Sequence, residues 1–319
     1  MAMKLVPEYR AVEKLYLSFV QKFFNTRFGY GKTICDMAEA AVAHVDVEIL
    51  VSQADLPHLQ DEFRQRQLDA DKLTLNFDSP GRGILAEYTP IFAENDDGKL
   101  VALVFDTPSL DRFPGLKQFS QRWAQGLGAL VVDVGFDFGT AYLSVNEDLV
   151  LLSARGFEGE RGASKLSYFR QNFPDQSFFV VPPLEGERTA DLDMVVWPIA
   201  PRAWIVSEYP AHSPQEALIA PTLRVLEEQG HAVHRVPGLE HIQYDDIDTM
   251  PNYANGVVLN RLALAPAYQR EEDDVVQGIL RDYGYDVVAI DCRNVILTNS
   301  ALHCISKTVP RSGSTRTRE

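Results

Sequence analysis

Residues 256–291 form the stretch that decides the fold: GVVLNRLALAPAYQREEDDVVQGILRDYGYDVVAID. Residues 256–266 are aliphatic and β-branched, as is typical of strands. Residues 271–283 place apolar side chains three and four positions apart, which predicts an amphipathic helix. A Tyr-Gly-Tyr turn then ends the helix and leads into a second apolar run at 286–291. This order predicts strands joined through a helix, and therefore an α/β unit.

The same order of elements recurs along the chain. Further helix patterns that lead into a strand pattern lie at 32–44, 115–126, 163–172 and 214–229. We take Val47, Leu130, Phe178, Val233 and Val287 as equivalent positions in these strands, and successive ones lie 83, 48, 55 and 54 residues apart. The long first interval holds an additional helix pattern at 54–67. We interpret the chain as five repeats; the alternative is an ordinary α/β chain with elements spaced roughly 40–60 residues apart.

Additional strand patterns between the helices predict mixed sheets, and they lie at 100–106, 141–153, 193–208 and 256–266. The length of 319 residues suggests two domains as a first approximation. However, no linker rich in Pro, Gly and Ser interrupts residues 1–306, so we predict a single domain there. The remaining residues, 307–319, are basic and rich in Ser and Thr, and we expect a disordered tail.

Charge and cysteine content limit the classes of partner. With 30 basic and 45 acidic residues the formal net charge is −15, which disfavours nucleic acids and anionic membranes and favours a small cationic molecule.

Cys35, Cys292 and Cys304 are too few and too scattered for a disulfide framework or a metal site. Without a signal-peptide pattern or a long apolar run, we expect a cytoplasmic protein. No motif implies a metal or organic cofactor, and a homodimer is an open alternative to a monomer.

The most informative stretch for chemistry is 294–310, NVILTNSALHCISKTVP. We predict a strand at 294–298, followed by a small polar turn and then His303 and Cys304. A thiol just past a strand end is well placed to act as a nucleophile, although a lone cysteine is more often a small buried apolar residue. Consecutive residues of an extended chain face opposite sides, so we expect His303 to have a structural role behind the thiol.

These residues resemble the agmatine deiminase branch of the guanidino-group-modifying, or pentein, superfamily. Residues 252–258 are similar to the family's YxNFYIxNGxVxVP segment, 289–291 to its GID strand and 302–305 to its GGGxIHC segment. Weaker matches are 6–19 to PxEFxPHxxxWLAWP, 87–92 to RDxGPTF and 189–194 to DGHxDM. The order agrees over nearly the whole chain, but only about the last fifty residues match closely. The resemblance implies a five-bladed α/β propeller around one central site.

The resemblance also implies a mechanism and a small guanidino substrate. In that family a cysteine thiolate attacks the guanidinium carbon, carboxylates bind the flanking nitrogens, and the adduct is released to water or to an amine. When the family's roles are transferred to the matching positions of this sequence, Cys304 is the nucleophile, Asp193 is a guanidinium ligand and Glu87 is a candidate second ligand. Carboxylates suit a planar cation with several N–H donors. Without the resemblance, Asp193 and Glu87 are as readily interpreted as solvated charges at strand ends.

The departures from the family pattern concern catalysis. The family's proton-transfer histidine falls at Asp191, and the glycine-rich turn before the nucleophile is 298–300, Thr-Asn-Ser. If residues 191–193 are extended, Asp191 and Asp193 face the same side, raise the pKa of Cys304, and leave one carboxyl protonated as a general acid. His241 is a conceivable substitute base, although an ordinary surface histidine is the better interpretation. The alternative to an enzyme is a divergent pentein without deiminase turnover that acts as a binding or partner protein.

Overall fold

The computed structural model describes residues 2–20, 30–107, 115–187, 189–239, 242–244 and 247–313. Within these ranges the strands form five main sheets and one small hairpin, with six α-helices between them. No helix in this part of the chain is long and apolar enough to cross a lipid bilayer.

The helices agree with the periodicity of the sequence. They are α1 (Tyr30–Ala41), α2 (Leu56–Arg66), α3 (Leu116–Gly126), α4 (Gly162–Asn172), α5 (Pro214–Glu228) and α6 (Glu272–Asp282). α5 begins where the Ser213 hydroxyl accepts a hydrogen bond from the Glu216 backbone N–H at 3.1 Å, which caps the first turn. α6 carries three acidic residues in its first turn, where they complement the helix dipole. All six predicted helices are therefore confirmed, with ends that differ by a few residues.

The strands are, in chain order, β1 (Met3–Leu5), β2 (Val12–Phe19), β3 (Asp46–Val51), β4 (Thr74–Asn76), β5 (Ile91–Asn95), β6 (Leu100–Asp106), β7 (Leu130–Asp137), β8 (Leu143–Asn146), β9 (Leu149–Ser153), β10 (Ser177–Val181), β11 (Val196–Ala200), β12 (Ala203–Glu208), β13 (Ala232–Pro237), β14 (Ile242–Tyr244), β15 (Ile247–Thr249), β16 (Val257–Leu259), β17 (Leu262–Ala267), β18 (Asp286–Asp291) and β19 (Ser306–Pro310). Seven of these strands were not predicted from the sequence: β1, β2, β4, β5, β14, β15 and β19.

One unit of three strands and a helix repeats through the described residues. In the stretch 256–291, β16 and β17 pair antiparallel, with Val257 opposite Leu264. α6 then crosses over, and β18 pairs parallel with β17, with Leu262 opposite Asp286. The same order holds for β5-β6-β7, β8-β9-β10 and β11-β12-β13, with α3, α4 and α5 as the crossovers. The repeat predicted from spacing is therefore confirmed.

The first unit is completed by the opposite end of the chain. β2 and β3 pair parallel through α1, and the antiparallel partner of β2 is β19, with Ser306 opposite Leu17. β4 extends this sheet beside β3, and α2 precedes β4 in the chain. Together they lengthen the first interval between repeats. The prediction of a disordered tail from residue 307 was wrong for 307–310, because these residues form a buried strand. Residues 314–319 lie outside the described part of the chain.

Asparagine side chains at the hairpin turns connect neighbouring units. Asn146 donates hydrogen bonds to the backbone oxygens of Ala200 and Ala203, at 3.0 and 3.1 Å. Asn260 accepts one from the Val12 backbone N–H at 2.9 Å and donates one to the Val12 backbone oxygen at 3.1 Å. Because these side chains satisfy backbone groups of the next sheet, they fix how adjacent units meet.

Candidate functional site

The nucleophile candidate lies in a turn and not after a strand. Val295–Thr298 is a 3₁₀-helix, so the predicted strand at 294–298 was wrong. Within this helix the Thr298 hydroxyl donates to the Val295 backbone oxygen at 2.7 Å. Asn299 caps the end of the helix with a left-handed φ of 57°, which turns the chain back. Residues 302–305 form a further turn before β19. His303 and Cys304 are therefore not consecutive residues of an extended chain, and their side chains are not required to face opposite sides.

Asn255 holds this turn in place. Its Oδ1 accepts hydrogen bonds from the backbone N–H groups of His303 and Cys304, at 2.9 and 3.3 Å. Its Nδ2 donates to Cys304 Sγ at 3.2 Å and to the Asp193 backbone oxygen at 3.4 Å. The side chain is fully buried. No role was predicted for Asn255 from the sequence, although it lies in a segment that carries the family resemblance.

Asp193 is the carboxylate next to the thiol. Its Oδ2 accepts hydrogen bonds from Cys304 Sγ at 3.3 Å and from His303 Nδ1 at 2.8 Å. Within the described residues its buried Oδ1 has no hydrogen-bond partner. Asp193 lies in the short 3₁₀-helix Leu192–Met194, with Asp191 immediately before it. The expectation that both aspartates lie on a strand was therefore wrong, because the chain turns between them.

His303 connects Asp193 to a second carboxylate. Its Nε2 lies 2.5 Å from Glu8 Oε2, and Lys307 Nζ donates to Glu8 Oε1 at 3.0 Å. Burial opposes a charged imidazole, but the charge of Glu8 and hydrogen bonds to both carboxylates outweigh it and raise the pKa of His303 to about 10. His303 is thus an imidazolium at neutral pH. Sequence reasoning missed Glu8 and Lys307, since one lies in a weakly matching segment and the other in the predicted tail.

The charge on His303 makes its contribution to stability depend on pH. Because its pKa rises on folding from about 6.5 to about 10, this contribution is complete below pH 6.5 and is lost as the pH approaches 10. We expect His303→Gln to lower the free energy of unfolding by about 2 kcal/mol at pH 6 and by little at pH 10. Urea denaturation at both pH values measures this. The exposed His58 on α2 provides the control His58→Gln, and an equal loss at both pH values would contradict the assignment.

The Cys304 thiol is strongly biased toward its protonated form. Burial raises its pKa well above the usual range, and the charges of Asp193 and Asp191 raise it further. The Ala301 backbone N–H and the Asn255 side chain act in the opposite direction. A thiolate therefore needs either a cation beside these carboxylates or the removal of their charge.

Asp191 and Glu87 lie on the acidic side of the site. Burial, followed by the charges of Asp193, Glu187 and Glu87, raises the pKa of Asp191 well above its usual range and favours its protonated form. Both carboxylate oxygens of Glu87 lie within 2.6 Å of Arg82 Nη2, and Arg82 Nε lies 3.1 Å from one of them. Glu87 is thus already paired with a guanidinium of the protein. His241 lies outside the described residues.

A cavity of about 50 Å³ adjoins this cluster. Its wall includes residues from all five main sheets or the loops next to them, so it lies where the five units meet. The charged residues and the tryptophan in the wall are Glu8, Arg10, Asp193, Trp197, His303 and Lys307. Cys304 does not line the cavity. Its Sγ contacts Asp193, however, and Asp193 does line it. Among the described residues, no three His, Cys, Asp or Glu side chains are arranged to hold a metal ion.

Comparisons with known proteins agree with this architecture. The Porphyromonas-type peptidyl-arginine deiminase family matches residues 176–310, and no curated protein matches the chain. The agmatine deiminase of C. jejuni superposes with a TM-score of 0.80 at 14% identity, over 98% of this chain and 97% of that one. The agmatine deiminase of Enterococcus faecalis gives 0.78 at 15% identity, over 97% and 96%. DDAH from Pseudomonas aeruginosa gives 0.55 at 10% identity, over 94% and 100%.

These likenesses confirm the predicted architecture. The chain has the pentein fold, a five-unit α/β propeller, that the agmatine deiminases share, and its residues 176–310 match the Porphyromonas-type peptidyl-arginine deiminase family.

Proposed function

We propose that this protein modifies guanidino compounds and that Cys304 attacks the guanidinium carbon. The observation that carries the proposal is the geometry of Asp193. One of its oxygens contacts the Cys304 thiol at 3.3 Å, and the other is buried and makes no hydrogen bond within the described residues. An unpaired buried carboxylate oxygen beside a thiol suits a cation whose carbon is to be attacked.

In this proposal the substrate's guanidinium donates to Asp193 Oδ1. A bound cation offsets the negative charge that raises the pKa of Cys304, so substrate binding itself favours the thiolate. Glu87 is the second carboxylate proposed to bind the substrate. Because Arg82 occupies both of its oxygens, Glu87 binds a substrate nitrogen only by exchanging one guanidinium for another.

The covalent steps balance with these groups. The thiol proton passes to Asp193 while sulfur bonds to the guanidinium carbon. The adduct then loses one nitrogen as ammonia or an amine, which takes a proton from the Asp191 carboxyl group, and an amidino group stays on Cys304. Water or an amine attacks that carbon and gives its proton to Asp191. The C–S bond breaks, and sulfur regains its proton from Asp193. When water is the acceptor, the hydroxyl proton of the adduct passes to the released ammonia or amine through solvent as the ureido carbonyl forms.

A second candidate function is guanidine binding without turnover. The observation that favours it is the absence of an imidazole base at the thiol, since the side chains that hydrogen-bond Cys304 Sγ in the described structure are those of Asp193 and Asn255. His303 is held as an imidazolium by its two carboxylates, which prevents it from accepting the thiol proton. Asp191 stands where the related enzymes are expected to have histidine.

The test of the first function is turnover of a panel of guanidines by the wild-type protein and Cys304→Ala. Ureido product, released ammonia and amidino transfer to added amines are measured. We expect the wild type to be active and Cys304→Ala to lose at least about a thousandfold in kcat. Cys35→Ala, which removes another buried thiol, serves as the control. Equal, background-level rates for wild type and Cys304→Ala would exclude the enzyme.

Asp191→His distinguishes the two candidates. If the protein binds guanidines without turnover, activity is expected only after an imidazole is restored at this position. If the native protein is an enzyme that uses Asp191 as its general acid, Asp191→His is expected to alter the pH profile of an activity that is already present. The same turnover assay, run between pH 6 and 10, separates these results.

A further inference from the structure

The loop that leads to Asp191 is folded around the carboxylate of Glu187. Glu187 is half-buried and lies between β10 and β11. Its Oε1 accepts hydrogen bonds from the backbone N–H and the hydroxyl of Thr189, both at 2.8 Å. Its Oε2 accepts one from the Ala190 backbone N–H, and the Asp191 backbone N–H donates to the Thr189 hydroxyl at 3.2 Å. The backbone donors of residues 189–191 are thus all satisfied within the loop.

These hydrogen bonds support a backbone conformation that alanine disfavours. Ala190 has a φ of 57°, in the left-handed region, which glycine adopts freely and alanine only at a cost in free energy. Asp191 follows in an extended conformation and begins the 3₁₀-helix that carries Asp193. The direction in which both aspartates leave the turn therefore depends on the contacts of Glu187.

Glu187 also reaches the turn that precedes Cys304. Asn299 Nδ2 lies 3.5 Å from Glu187 Oε1, and Asn299 Oδ1 accepts a hydrogen bond from the Thr249 hydroxyl at 3.2 Å. Asn299 is the left-handed residue at the end of the 3₁₀-helix Val295–Thr298. One carboxylate thus connects the loop of the two aspartates to the turn that leads to the thiol.

Asp191 is buried among charged and titratable groups. Its 3₁₀-helix packs against the short helix Thr140–Tyr142, which packs in turn against Leu85–Glu87. Burial and the charges of neighbouring carboxylates, Glu187 included, raise the pKa of Asp191. Among the described residues, the charged and titratable groups around Asp191 are Glu87 with Arg82, Tyr142 with Arg155, Glu187, Asp193 and Cys304.

We propose that Glu187 is a positioning residue: its carboxylate fixes the loop of Asp191 and Asp193 against the turn that leads to Cys304, and so holds Asp191 in place as the general acid. Glu187 makes these contacts through the backbone and not through the reacting atoms. The inference rests on the proposed function, because that function gives Asp191 its role. The positioning itself can be measured without turnover.

Infrared difference spectroscopy of the full-length protein as a function of pH tests the positioning, because a protonated carboxyl group has a C=O band that a carboxylate lacks. Asp191→Asn identifies the band of Asp191 by its loss. Glu187→Gln removes the charge, whereas Glu187→Asp keeps the charge on a side chain too short to reach all the donors. Both remove support from the loop and let water reach Asp191, so we expect both to lower the midpoint of its titration by about one pH unit. The exposed Glu185 provides the matched controls Glu185→Gln and Glu185→Asp, which should leave the midpoint unchanged.

The same variants are expected to change the pH dependence of turnover. A general acid acts only while it is protonated, so kcat falls as the pH rises through the pKa of Asp191. In Glu187→Gln and Glu187→Asp this alkaline limb is expected to move to lower pH by the amount seen in the infrared midpoint, with KM nearly unchanged. A purely structural role would instead lower kcat by the same factor at every pH.

The outcomes separate this inference from the proposed function. Equal midpoints in the wild type and both Glu187 variants overturn the inference. A lower midpoint in Glu187→Gln alone also overturns it, because the charge of Glu187 and not its contacts would then explain the effect. If both midpoints fall as expected but the wild type has no turnover, the positioning stands and the proposed function fails. If Glu187→Gln does not fold, as judged by circular dichroism, the more conservative Glu187→Asp decides.

Discussion

Replacing Asp193 with asparagine is expected to make the Cys304 thiol more reactive and to weaken guanidine binding. Asp193 Oδ2 lies 3.3 Å from Sγ, and its charge is one of the causes that raise the pKa of Cys304. Removing one unit of negative charge at this distance lowers the thiol pKa, so the fraction of thiolate at neutral pH increases. The asparagine side chain is neutral, so it also lacks the buried anionic oxygen that is proposed to bind the guanidinium.

The rate of alkylation by iodoacetamide as a function of pH measures this effect. Mass spectrometry of the peptide that carries Cys304 separates it from Cys35 and Cys292. The alkylation profile of Asp193→Asn is expected to lie at lower pH than that of the wild type, and guanidine affinity should fall at least about tenfold. Asp137→Asn, at an exposed carboxylate at the end of β7, is the matched control. An unchanged profile would show that Asp193 does not set the ionisation of the thiol.

Asn255→Asp is expected to act in the opposite direction. The substitution keeps the shape of the side chain and an oxygen able to accept from the backbone N–H groups of His303 and Cys304. It replaces the Nδ2 donor to Cys304 Sγ with an acceptor and adds a negative charge beside Asp193. The pKa of Cys304 therefore rises, and alkylation slows over the neutral range.

The same substitution is expected to destabilise the turn. Because Asn255 is fully buried, two lost donor interactions and a new like-charge contact should lower the free energy of unfolding by about 1–3 kcal/mol. Asn172→Asp, at the end of α4, gives the matched control because, among the described residues, its side chain donates to the Tyr168 backbone oxygen of the same helix. Alkylation that is faster in Asn255→Asp than in the wild type would contradict the role assigned to Asn255.

The repeats could be predicted from the sequence because their signals are local. Amphipathic periodicity and the glycines that end helices give the order of elements in a unit such as α6 followed by β18. The strand predicted at 294–298 failed for a related reason. A short apolar run is compatible with either a strand or a buried turn. In the structure, the left-handed conformation of Asn299 makes this segment a turn.

The site was only partly predictable, because its contacts join distant parts of the chain. Cys304, Asp193 and Asp191 were identified through motifs, and the structure brings them together. The contact between His303 and Glu8 spans 295 positions in the sequence. The periodicity of apolar residues does not predict contacts between side chains so far apart. Glu87 and Arg82 are only five residues apart. Their pairing still could not be predicted, because it depends on the conformation of the loop that carries them.

The pairing of β19 with β2 has a consequence for the order in which the molecule assembles. Ser306 lies opposite Leu17, so this contact closes a loop of 306 − 17 = 289 residues. Closing so long a loop costs about 5 kcal/mol of chain entropy, which is recovered only when the intervening units are already compact. The turn that carries Cys304 directly precedes β19. We therefore expect Cys304 to join its partners at the last stage of folding, so that the site is assembled only once the propeller has closed.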